Sequence, residues 1–189
     1  MEQASTLHFR AITAHDAPAI ARLHATSWRT AYRGILTDAY LDDDLESERR
    51  SVWTAKLSAP EAGPGWLALV NDGAVGFVYV RPREDAHWGT LVDNLHVLPG
   101  HQGLGIGRRL LHTVGGWAAA HAPDARVHLW VFADNTPARG FYAHVGGSEV
   151  EFVDRAASDG RDLPEYRVAW NSPAALIAGT VPFRRQAGL

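Results

Sequence analysis

The chain has 189 residues, 46% of them hydrophobic with 7 Trp, 6 Phe and 5 Tyr, which suits a single folded domain and excludes disorder on composition. A net charge of −3 lacks the clustered Lys and Arg excess that nucleic-acid phosphates demand, and the absence of cysteine removes disulfides, thiolate metal sites and a thiol nucleophile together. No N-terminal stretch joins basic residues to an apolar run, and no segment approaches the ~20 apolar residues that cross a bilayer, so a cytoplasmic protein with no membrane or nucleic-acid partner is expected.

In chain order, Leu7 to Ile12 alternates apolar and polar residues and predicts a strand. Thr13 to Pro18 suits a helix start. Ile20, Leu23, His24, Ser27, Trp28, Ala31 and Tyr32 then recur at three- and four-residue steps, one face of an amphipathic helix that stops near Gly34. A second helix is predicted from Thr37 or Asp38, through the acidic run Asp42, Asp43, Asp44, Glu46 and Glu48, toward Lys56. The Pro60 to Gly65 stretch ends it. Trp66 to Val70 and Ala74 to Val80 flank Asn71-Asp72-Gly73 and read as a β-hairpin. Trp88 to Leu98 predicts a strand, Pro99 to Gly107 a glycine-rich turn, and Leu110, Leu111, Val114, Trp117 and Ala118 a helix. Arg126 to Phe132, Thr136 to Val145, Glu149 to Val153 and Leu163 to Trp170 follow as strand, helix and a strand pair. The order is β, α, α, β, β, β, α, β, α, β, β: one α/β (α+β) domain over residues 1–170, with a mostly antiparallel sheet and a tail at 171–189.

The richest stretch is Leu95 to Leu111, where a strand delivers the chain to Gly100, Gly103, Gly105 and Gly107 just before a helix. Glycines let successive N–H groups converge without Cβ interference, and a helix N-terminus carries about half a positive charge, so the turn is built to cradle an anion such as a pyrophosphate. The spacing is wrong for the dinucleotide G-x-G-x-x-G, and no Lys-Ser/Thr pair follows as in a P-loop. Gln102, Gly105 and Gly107 instead form Q-x-x-G-x-G after a strand ending in Pro99. This resembles the acyl-CoA signature of the GNAT N-acyltransferases. The resemblance implies a mixed sheet of about seven strands and about four helices, splayed where acyl-CoA binds. It also implies that acetyl-CoA is co-substrate, its pyrophosphate held by the amides of Gln102, Gly103, Leu104, Gly105, Ile106, Gly107 and Arg108. Main-chain groups near Leu95 and Val97 would pair with the pantetheine arm, whose two amides can extend a sheet edge.

Leu129 to Gly147 resembles the second block of that family, with Asn135, Ala138, Phe141, Tyr142 and Gly146 matching; Gly147 stands where an aromatic is usual. The resemblance implies that Asn135 bonds the pantetheine region and that Tyr142 gives a proton to the departing thiolate. Phenol chemistry suits that role, because an ordinary tyrosine pKa of ~10 lies above a thiol's ~8.5. Asn135 also fits a helix N-cap, and Tyr142 also fits a core aromatic.

An amine acceptor must lose a proton before it attacks. Asp93, at a position often acidic in the family, is the favoured base, acting through water, with His96 or water alone left open. Ser27 to Leu36 resembles a block that walls the acceptor pocket in bacterial members, and Trp28 and Tyr32, four apart on one helix face, could receive an amine or simply pack. Leu163 to Arg167 resembles the strand that returns beside the site. Ten scattered His in no ligand spacing give no metal set. The function expected is transfer of acetyl from acetyl-CoA to a primary amine of a small molecule or peptide; a non-catalytic CoA-binding regulatory domain is the alternative. Edge strands and an apolar C-terminal stretch suit a homodimer.

Overall fold

The computed structural model describes residues 6–181. Seven strands, β1 (Leu7–Ala11), β2 (Gly65–Val70), β3 (Gly73–Asp85), β4 (Gly89–Val97), β5 (Val127–Phe132), β6 (Ser148–Ala156) and β7 (Asp162–Trp170), form one sheet in the order β1-β2-β3-β4-β5-β7-β6. Every neighbouring pair is antiparallel except β4 and β5. The β2–β3 turn has Asn71 and Asp72 both at positive φ, 47° and 64°. The two-residue primed turn that matches strand twist therefore uses Asn-Asp at its centre, and Gly73 already belongs to β3.

The helices are α1 (Ala17–Ala31), α2 (Asp38–Asp42), α3 (Leu45–Ser58), α4 (Ile106–His121), α5 (Thr136–His144) and α6 (Pro173–Thr180). That is six where the resemblance implied about four. One extra helix arises because the acidic run splits its helix in two. Asp43 is extended, and Asp44 caps α3 by accepting from Ser47 N–H at 3.3 Å. The run is largely neutralised by arginines: Asp42 pairs with Arg33, Glu46 with Arg50 and Glu48 with Arg49. The other is α6, inside the stretch expected to be a tail. Leu176 on it is fully buried, and Ile177 lies so close to Gly115 of α4 that a Cβ there would sit 2.8 Å from it. Burying a leucine contributes about 1.5–3 kcal/mol toward docking this short helix. The rest of that tail, 182–189, lies outside the described residues.

One core, on the α4 face of the sheet, gathers Val78, Val80, Val92, Leu110, Leu111, Val114, Leu129, Val168, Trp170 and Leu176. A second, under α1 and α3, holds Ile20, Leu23, Trp53, Leu67, Phe77 and Tyr79. A smaller third joins α1, α2 and α3 to the far ends of β5 and β7 through Leu41, Leu45, Trp28, Tyr32, Phe132 and Leu163. Gly147 has a packing reason for lacking a side chain: a Cβ there would lie 2.6 Å from Val168 and 2.9 Å from Trp170. Trp170, fully buried, fills that space and donates its indole N–H to Val145 O at 2.9 Å. Among the described residues, no helix is long and apolar enough to cross a membrane.

The entry to α1 is fixed by Asp16, whose carboxylate accepts two bonds from Arg10 (2.8 and 2.7 Å) and two from Thr13. The Arg10 guanidinium lowers Asp16 from 3.8 to about 2. A folded-state pKa held below the unfolded value gives stability present above about pH 4 and lost as pH falls through 2. The depression corresponds to roughly 2 kcal/mol, trimmed toward 1 by the solvent exposure of Arg10. Asp16→Asn is therefore expected to cost about 1–2 kcal/mol in urea unfolding at pH 7, with the gap to the parent closing between pH 4 and 2. A gap of constant size across that range would show that the ion pair contributes nothing.

Candidate active site

Because β4 and β5 are the parallel pair, each is followed by a helix that starts at its carboxyl end, the crevice where open sheets of this kind bind ligands. The pair is short. Only Thr90↔Val127 and Leu91↔His128 are in register. Beyond them β4 continues through Val92–Val97 bonded to β3 alone, while β5 continues bonded to β7. The segment holding Leu95 and Val97 thus presents an unpaired edge toward β5, and their side chains pack on the α4-side core.

At the end of β4 the chain passes through a 3-10 turn at Pro99–His101 and reaches Gly103 and Gly105, both at φ +77° with no atom within 4 Å of where a Cβ would stand. Glycine is needed at both for conformation, and the space beside them is open. The first bond of α4 is Arg109 N–H to Gly105 O, 3.0 Å, so the amides of Ile106, Gly107 and Arg108 have no partner within the helix. These are the N–H groups that the glycine pattern predicted for an anion. Gln102 reaches back by its side chain to Val97 O at 3.2 Å and ties the turn to the strand. The Ile106 side chain lies in the core, whereas Leu104 is exposed, so only their main chain can serve the turn. Gly107 lets Phe141 of the second block rest 3.4 Å from where its Cβ would be.

Asn135 caps α5, its Oδ1 accepting from Ala138 N–H at 3.3 Å. Tyr142 is buried on the α4-side core beside Phe141 and Trp170. Burial raises its phenol well above the ordinary value, so it stays protonated. The Tyr32 hydroxyl, approached from the opposite face of the sheet, is also raised, by burial first and then by Tyr142 and Glu165. Tyr142 belongs to the α4-side core and Tyr32 packs against the third core, on Phe132 and Trp28.

The sequence could not show how β4 holds its acid. The register steps from Tyr79↔Asn94 to Val80↔Val92, leaving Asp93 as the extra residue of a bulge that turns its carboxylate toward α3. There Lys56, the sole lysine, donates to it at 2.6 Å and Asn94 at 2.9 Å, while Lys56 lies over the Trp53 and Tyr79 rings. His96 points to the same face, its Nδ1 3.0 Å from Ser27 Oγ and its ring 4.5 Å from that of His24. Burial pulls His96 down to about 3, so it is a neutral imidazole and a weak acceptor for an alkylammonium proton. His24 takes the Trp53 indole N–H on Nδ1 at 2.9 Å. Neither Lys56 nor Glu165 was singled out from the sequence, because a partner 37 residues away and a cross-strand neighbour on β5 leave no local pattern. Trp28 and Tyr32 do share a face, 5.5 Å apart, part-exposed and in contact with the third core.

A family model described as the acetyltransferase (GNAT) family matches residues 21–146. A probable N-acetyltransferase of Mycobacterium tuberculosis is 33% identical over 144 residues, covering 73% of this chain and 78% of that protein. An aminoglycoside N(6')-acetyltransferase of Stenotrophomonas maltophilia is 36% identical over 100 residues, 49% of this chain and 60% of that protein. The PaiA N-acetyltransferase of Thermoplasma acidophilum, solved in complex with coenzyme A, superposes with a TM-score of 0.67 at 15% identity over 88% of this chain and 99% of that one.

Proposed function

This chain belongs to the GNAT acetyltransferase family, and on that premise we propose that it carries acetyl from acetyl-CoA to a primary amine of a small molecule or peptide by direct attack in a ternary complex. The observation that carries the reading is the two-residue pairing of β4 with β5, which leaves a strand edge beside an amide-lined glycine turn. The pyrophosphate would lie on the amides from Gln102 to Arg108, and the pantetheine amides along the edge near Leu95 and Val97. Asn135 would add its side-chain amide to that arm. The acetyl carbon would then sit near Tyr142.

The amine lone pair attacks the thioester carbon, the C–S bond breaks, and the sulfur leaves with its electron pair. Tyr142 donates its phenolic proton to that thiolate. The proton shed by the amine passes through water to Asp93, whose carboxylate Lys56 and Asn94 hold in place. Trp28 and Tyr32 form the aromatic wall of the acceptor side.

Acetyl-CoA is expected to raise the melting temperature in a concentration-dependent way, since it would bind only the folded state. Thiol release across a panel of amines and peptides should then reveal turnover. A melting curve unmoved by saturating acetyl-CoA or CoA would refute the co-substrate, and tight binding with no acetylation of any acceptor would favour the regulatory alternative.

A further inference from the structure

Glu165 is a buried carboxylate on β7 that the chemistry above leaves unused. It stands in register with Phe132 of β5, so the two side chains are neighbours on one face of the sheet. The Phe132 ring meets Tyr32 edge-on at 5.0 Å, Tyr32 lies 5.5 Å from Trp28, and Trp28 lies 6.4 Å from Tyr40. The carboxylate therefore lies at the end of an aromatic row that is part-exposed on the acceptor side of the opening. Its Oε2 accepts from Arg155 at 2.8 Å, a guanidinium whose side chain is 43% exposed and which also stacks on Trp130. An ionised carboxylate offers about four acceptor positions, so one N–H from Arg155 leaves capacity for a second cation. Burying such a group is costly unless it is paired, and the aromatic faces beside it attract cations in their own right.

Resting on the acetyltransferase reading, we propose that Glu165 receives the acceptor's ammonium, and that the acceptor class is a primary ammonium carried on an apolar stem that lies along Trp28, Tyr32 and Phe132. The role is one of binding and specificity.

The test titrates benzylammonium into the parent, Glu165→Gln and Arg155→Gln, with and without CoA, following ligand NMR shifts, with far-UV circular dichroism to check folding. The parent is expected to bind benzylammonium, E165Q at least ~10-fold more weakly, and R155Q about two- to five-fold more tightly because a competing cation is gone. Benzyl alcohol, neutral and of similar shape, should bind parent and E165Q alike. Glucosamine, a cation on a polyol, should bind the parent more weakly than benzylammonium, and the reverse order overturns the apolar-stem half of the proposal. Equal benzylammonium binding by parent and E165Q, binding by neither, or parallel weakening in E165Q and R155Q overturns the role of Glu165. If E165Q fails to fold, the direction of the R155Q change decides. Failure of CoA itself to bind refutes the acetyltransferase reading separately.

Discussion

Tyr142→Phe is expected to leave CoA affinity within a few-fold of the parent and to lower turnover by about 10²–10⁴, the usual contribution of a positioned acid. The substitution removes one oxygen and keeps the ring, so the contacts with Phe141 and Trp170 survive. Burial already holds the phenol in its protonated form. Across the neutral range its activity should therefore show no limb that belongs to Tyr142 losing its proton. CoA affinity by calorimetry and thiol release under saturating acetyl-CoA separate the two quantities. A variant that turns over at the parent's rate would make Tyr142 a packing residue and leave the thiolate to take its proton from water.

Gly105→Glu is expected to abolish the CoA-induced rise in melting temperature. At φ +77° any residue with a Cβ is strained by roughly 1–2 kcal/mol, yet the space beside Gly105 is open, so the variant should fold. Its carboxylate would stand over the amides that begin α4, where a pyrophosphate would be repelled and displaced. Gly105→Ala carries the strain without the charge and should keep part of the CoA shift. That difference assigns the loss to the carboxylate side chain and not to backbone strain. Should folded Gly105→Glu bind CoA as tightly as the parent, the phosphates lie elsewhere.

What the sequence determined by itself was local. Gly103, Gly105 and Gly107 have short-range consequences, because a positive φ and a missing Cβ act on the adjacent peptide units, so the glycine turn and the start of α4 were legible before any contact was known. The same holds for Asn135, whose cap is made three residues away. The sheet's strands were legible from alternation and from turn residues, within one to five residues at their ends. The tertiary structure alone decided the rest, since it depends on residues far apart in the chain. The apolar run after Asn171 is the same sequence whether it trails in solvent or docks, and its place in the core depends on distant residues that approach it closely, Gly115 of α4 among them. Asp93 sits in a strand by its neighbours' pattern, but a one-residue slip against β3 turns it to Lys56, and register is set by pairing across strands. Glu165 has the neighbours it has only because β7 brings it beside Phe132 and α1 lays Tyr32 against that ring. No spacing along the chain encodes that meeting, because it is fixed by how the helices and the sheet pack.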